Sequence, residues 1–130
     1  MICNKCITFA AMKEEKKNIR KVLLSNEFSN YYDNLTIKVQ EKYTYALQLI
    51  KTIKVVNKKF VKKIQNTEFY EVRISVGTNE YRTMLIATDR ENFVEATQVL
   101  LLNSFLKKDN KQYKSEIEKA RTILIKEELI

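Results

Sequence analysis

At 130 residues, 45% hydrophobic and 31% charged, the chain is long enough for one self-supporting core and too apolar for a disordered tail. It has no proline, a single glycine and no histidine, which excludes long flexible linkers and any histidine-based proton transfer. A formal net charge of +8, from 24 basic and 16 acidic residues, favours a polyanionic partner.

Residues 1–17 include Cys3 and Cys6 in a C-x-x-C spacing. Zinc needs about four ligands, and no further Cys or His completes a set. The pair lies in a polar stretch rather than at a strand–helix junction, so it reads as incidental thiols of a reducing cytoplasm. The weakly apolar patch at 7–11 has basic residues on both sides, unlike a signal segment. Met12 would serve as a start in its own right. Residues 1–17 are expected to be a flexible extension, and 18–130 a single domain. No apolar run approaches the length of a membrane span, and VLLL at 99–102 is far too short.

IRKVLL (19–24) reads as a short strand that ends at Ser25, a good helix N-cap. Phe28, Tyr31, Tyr32 and Leu35 then follow at helical spacing. A second helix starts near Thr36, with Val39, Tyr43, Ala46, Leu47, Ile50 and Ile53 as its apolar stripe. Its tyrosines are expected to be half-buried, with wet hydroxyls. Residues 54–63, KVVNKKFVKK, carry five lysines and no acid. The period changes to two in FYEVRISV, where Tyr70, Val72, Ile74 and Val76 alternate with Glu71, Arg73 and Ser75. Gly77, Thr78 and Asn79 supply a turn, and EYRTMLIAT (80–88) returns. A two- or four-residue loop puts Arg73 and Arg82 on one face; a three-residue loop would separate them. The same-face register is favoured, with Tyr70, Val72, Ile74, Tyr81, Leu85 and Ala87 on the core side. After a polar turn at 89–92, residues 93–106 contain the most buried strand, which delivers Lys107 and Lys108 at its tip. A helix over about 114–126 closes the chain. The order β-α-α-β-β-β-α implies an α+β domain: an antiparallel sheet with helices on one face.

Taken in order, Lys63 and Ile64, FYEVR (69–73), EYR (80–82), F-x-K-K (105–108) and E-I-x-x-A (116–120) resemble the RelE/ParE toxin superfamily of bacterial toxin–antitoxin systems. The resemblance is closest to its HigB-like, phage Gp49-related branch and spans about 19–126. It implies a RelE-like fold and a cytoplasmic toxin that cleaves mRNA on the ribosome as a metal-independent endoribonuclease. It also implies no cofactor, no membrane, and silencing by a cognate antitoxin, expected as a helix-turn-helix protein. Attack of a ribose 2′-hydroxyl on the adjacent phosphodiester needs a base, an acid and cations for the pentacoordinate phosphate.

Carried over by position, Arg73 and Arg82 form the phosphate clamp, because guanidinium matches phosphate oxygens in a bidentate fork. Lys108 adds charge at the reacting centre, and Lys107 and Lys111 hold RNA. Lys62 and Lys63, with the rest of 54–63, supply electrostatic footing on RNA. Glu71 is placed on the strand's other side and read as structural. Tyr113 stands where the HigB-like pattern often has proline. It is read as a base, as a nucleobase-stacking ring or as a helix-start staple, with Asp109 and Lys111 competing for the proton chemistry. Two other functions stay open: a ParE-type gyrase-inhibiting toxin without nuclease activity, and a basic nucleic-acid-binding domain.

Overall fold

A computed structural model describes residues 18–127; the expected extension at 1–17, with its two cysteines, lies outside the described residues. The elements are β1 (Lys21–Leu24), α1 (Asn26–Asp33), α2 (Ile37–Thr52), β2 (Val61–Lys63), β3 (Tyr70–Val76), β4 (Asn79–Ala87), β5 (Gln98–Leu106) and α3 (Gln112–Lys126). Both early helices start at a hydroxyl side chain. Ser25 Oγ accepts from the Phe28 amide at 3.0 Å, and Thr36 Oγ1 accepts from the Val39 amide at 3.4 Å.

The five strands form one sheet in the order β1-β5-β4-β3-β2. The α+β class holds, with three differences from the sequence reading. Val61–Lys63, expected as part of a lysine-rich segment resting on the core, pairs with β3 as a fifth, edge strand. Three residues are too few for a visible alternation. The sheet is not wholly antiparallel, since β1 runs parallel to β5 after the intervening helices and hairpin. Helices also cover both faces rather than one.

Phe28, Val39, Tyr43, Ala46 and Ile50 of α1 and α2 pack on Val72, Ile74, Leu85, Val99 and Leu101. On the opposite face, Ala120, Ile123 and Leu124 of α3 pack on Phe69, Met84, Leu100, Leu102 and Phe105. The apolar residues on both sides of β4 and β5 demand a second cover. Ala120 is fully buried, and its small side chain lets α3 approach the sheet closely. Tyr43 departs from the half-wet expectation. It is fully buried, with its hydroxyl 2.8 Å from Thr83 Oγ1, which lies 2.6 Å from Ser104 Oγ.

Two local features of the sheet set where its polar side chains emerge. The β3–β4 loop has two residues, Gly77 and Thr78, because Val76 pairs with Asn79. Gly77 sits at φ +62°, the left-handed value that the first position of a tight II′ hairpin turn requires. The expected same-face register results, and Arg73 lies directly opposite Arg82. On β5, Thr83 pairs with Ser104 but Leu85 pairs with Leu101, so Leu102 and Asn103 together oppose Met84 as a bulge. Asn103 Nδ2 holds the bulge by donating to Glu116 Oε1 at 2.8 Å and to the Glu116 carbonyl at 3.0 Å. This gives the glutamate of E-I-x-x-A a physical role.

Candidate functional site

A polar hollow opens on the α3 side of the β2–β3–β4 corner, lined by Lys62, Lys63, Glu71, Arg73, Lys107 and Tyr113, with Asn110 and Gln65 at its rim. Strand pairing assembles it. Glu71 and Arg73 are two residues apart on β3 and share a face. Lys62 pairs with Glu71 across β2, Arg82 pairs with Arg73 across β4, and Phe105 pairs with Arg82 across β5. The Lys107 amide donates to the Glu80 carbonyl at 2.7 Å, extending the ladder by one step.

That step explains which lysine arrives. Unbroken alternation from Leu100 and Leu102 would assign Lys108 to the α3 face, but the bulge shifts the phase by one residue. Lys107 lines the hollow, and the exposed Lys108 does not. Lys111 is also exposed and outside the lining. Lys63 is at the hollow with its Nζ donating to the Thr67 carbonyl at 2.6 Å. Asp109 is exposed in the following turn, its Oδ1 accepting from the Lys111 amide at 2.8 Å.

At the floor is Glu71, which sequence reasoning set aside and placed on the wrong side of the strand. Its residue exposure is 7%. Tyr113 Oη donates to Glu71 Oε1 at 2.5 Å. Arg82 Nε lies 3.5 Å from the same oxygen and Arg73 Nε 3.7 Å from Oε2. Neither Nε makes a hydrogen bond. Arg82 is 2% exposed, and its Nη1 reaches Glu80 Oε1 at 3.3 Å and the Tyr81 carbonyl at 3.1 Å. It therefore sits beneath the hollow, while Arg73, half-exposed, forms its wall. The missed signal was the two-residue spacing of Glu71 and Arg73 on an alternating strand.

Tyr113 is held from behind by Phe105, ring edge to ring face with centroids 5.5 Å apart. Gln112 fixes the link that aims it, accepting from the Lys108 and Asp109 amides and donating to the Leu106 carbonyl. Burial, and then the Glu71 carboxylate, pushes the Tyr113 phenol up to about 12 from an ordinary 10, while Arg82 pulls the other way. The phenol is thus neutral at physiological pH. A folded-state value above the unfolded one means the native protein holds this proton longer. Stability linked to Tyr113 is present below pH 10 and lost as pH rises from 10 toward 12. Urea unfolding across that window should show a decline that is smaller in Tyr113→Phe.

A more apolar groove lies elsewhere, between β1, α1 and α2, lined by Leu24, Phe28, Tyr32 and Leu47 with Asp33 and Lys51 at its edge. It has no comparable set of converging ionisable groups. Among the described residues no helix is long and apolar enough to cross a membrane.

The element order and the sheet with its basic hollow define an α+β domain of RelE-like architecture. The model of one family, the phage-derived Gp49-like proteins (DUF891), matches residues 30–124. The chain belongs to this family, which is related to the RelE toxin superfamily. No curated protein and no solved structure matches the chain.

Proposed function

We propose that this protein is the HigB-like toxin of a cytoplasmic toxin–antitoxin pair, and that it cleaves mRNA on the ribosome without a metal. A carboxylate and a phenol joined by one hydrogen bond, at the floor of a lysine- and arginine-walled hollow, support this reading. A phenol that titrates near 12 is a poor base alone. Bonded to Glu71, it can pass its own proton to the carboxylate as its oxygen takes the proton of an RNA 2′-hydroxyl. The 2′-oxygen attacks phosphorus, the bond to the 5′-oxygen breaks, and that oxygen leaves with a proton from Lys107. Arg73 meets the charge growing on the phosphoryl oxygens, and a 2′,3′-cyclic phosphate is the product. Arg82, buried against Glu71, orients the carboxylate rather than gripping substrate. Lys62 and Lys63 hold the entering strand, and a helix-turn-helix antitoxin is the expected partner.

Inducing the chain and mapping message ends by primer extension tests the reading. Lys107→Ala should lower cleavage by about 10²-fold, whereas Lys108→Ala, outside the hollow, should stay within about threefold. Growth arrest that survives alanine at Arg73, Arg82 and Lys107 would instead identify a ParE-type gyrase inhibitor. Induction that leaves growth and messages untouched would leave only a basic nucleic-acid-binding domain.

A further inference from the structure

α2 carries two tyrosines two residues apart with opposite fates. Tyr43 is fully buried, whereas Tyr45 is 58% exposed. The Tyr45 ring meets Phe60 in a T-shaped pair with centroids 5.8 Å apart, and Lys59 Nζ lies 5.7 Å from the Phe60 centroid. Val55, 69% exposed, belongs to the same lysine-rich connection between α2 and β2. Lys54, Lys58 and Lys59 are all exposed. The connection from 54 to 60 contains no acid, and Glu41 is the one carboxylate within a helical turn of Tyr45.

The connection is held in place. The Lys59 amide donates to Asn57 Oδ1 at 2.8 Å, and the Phe60 and Val61 amides both donate to the Asn57 carbonyl. It is also joined to the hollow. The Arg73 amide donates to the Phe60 carbonyl at 2.8 Å, and Arg73 Nη1 reaches the Lys58 carbonyl at 3.5 Å. An exposed tyrosine ring set against a half-buried phenylalanine, with exposed ammonium groups carried on a held backbone, suits one ligand chemistry: unpaired nucleobases on a phosphate backbone.

We infer that Tyr45 and Phe60, with Lys58 and Lys59, form a nucleobase-stacking subsite for the RNA strand whose adjoining nucleotides occupy the hollow. The subsite rests on the nuclease reading for the identity of that strand. Charge complementarity and the bonded link through Arg73 favour RNA over a protein partner on this patch.

The test uses the full chain and short RNA oligonucleotides carrying 2-aminopurine at successive positions, read by fluorescence quenching and by anisotropy over a salt series. Wild type should quench the probe at one or two positions. Tyr45→Ala should lose that quench and bind about 10-fold more weakly at every salt concentration, with the salt slope unchanged. Phe60→Leu keeps the apolar packing while removing the ring, and should behave alike. Replacing both Lys58 and Lys59 by alanine should instead flatten the slope by about 1.4 in log–log units. Message cleavage on induction without any oligonucleotide quench, or a quench that persists in both ring variants, would overturn the subsite while leaving the nuclease reading intact. So would unchanged RNA binding in the ring variants combined with lost antitoxin binding, which would make the patch a protein contact. An oligonucleotide quench together with intact messages on induction of the chain would keep the subsite and remove the nuclease.

Discussion

Glu71→Gln and Tyr113→Phe are each expected to lower RNA cleavage by about 10²–10³-fold, and the double variant by no more than either alone. The two groups share one proton path in the proposed mechanism, so breaking it at either point stops the same transfer. Independent contributions would multiply, and a double variant near 10⁵-fold would separate their roles. Primer-extension yields from a time course on one message measure the three rates. Stability must be followed in parallel, because Glu71 is also the counter-charge to Arg82 and Arg73. The glutamine variant should lose roughly 1–3 kcal/mol, since it leaves a buried guanidinium less neutralised. Tyr113→Phe removes one hydrogen bond and should cost about 1 kcal/mol. A loss of activity in the phenylalanine variant therefore reports the proton path rather than the fold.

The largest effect on stability is expected at Arg20, far from the hollow. It is 2% exposed and donates to five carbonyls: Phe93 at 3.2 Å, Ile50 at 2.9 Å, Ile53 at 2.6 Å, Lys54 at 2.6 Å and Val94 at 3.3 Å. Its guanidinium carbon also lies 4.0 Å from the centroid of the Phe93 ring. One planar cation thus gathers the C-terminal end of α2, the segment after it and the loop before β5, next to the start of β1. Cations are favoured at a helix C-terminus, where carbonyls lack partners. Arg20→Met keeps an unbranched apolar stem and removes every donor, leaving buried carbonyls unpaired. A loss of about 3 kcal/mol, or about 10 °C in Tm, is expected in thermal and urea unfolding. Arg20→Lys should recover only part of it, because one ammonium cannot reproduce a five-donor fork.

Much of this architecture was legible in the sequence, and the failures have physical causes. Ser25 and Thr36 announced helix starts because capping is a local bond, whereas the hairpin pattern favoured the same-face register but left the loop length open, which the pairing of Val76 with Asn79 sets at two residues. The fifth strand was hidden because Val61–Lys63 draws its identity from its neighbour, not from its own pattern. Arg20 beside an apolar strand looks like surface charge, since its five acceptors lie between 30 and 74 residues away. Within the candidate site, Arg73, Lys107, Tyr113, Lys62 and Lys63 could be picked out from the sequence, and all five line one hollow. Lys108 was carried over by position, and the bulge at Leu102 and Asn103, which no local pattern announces, brings Lys107 to the hollow instead. Glu71 was read as structural because it was placed on the strand's other side, and its position becomes plain only with both arginines beside it.

The protein is built as two unequal layers of packing on one sheet, the smaller lying under α3. That helix brings Tyr113, and its remaining ties to the rest of the molecule include two water-exposed ion pairs, Arg121 with Glu68 and Lys126 with Glu27. The stronger tie is apolar: detaching this helix would uncover Phe69, Met84, Leu100, Leu102 and Phe105, so the phenol's position depends on half of the core staying closed.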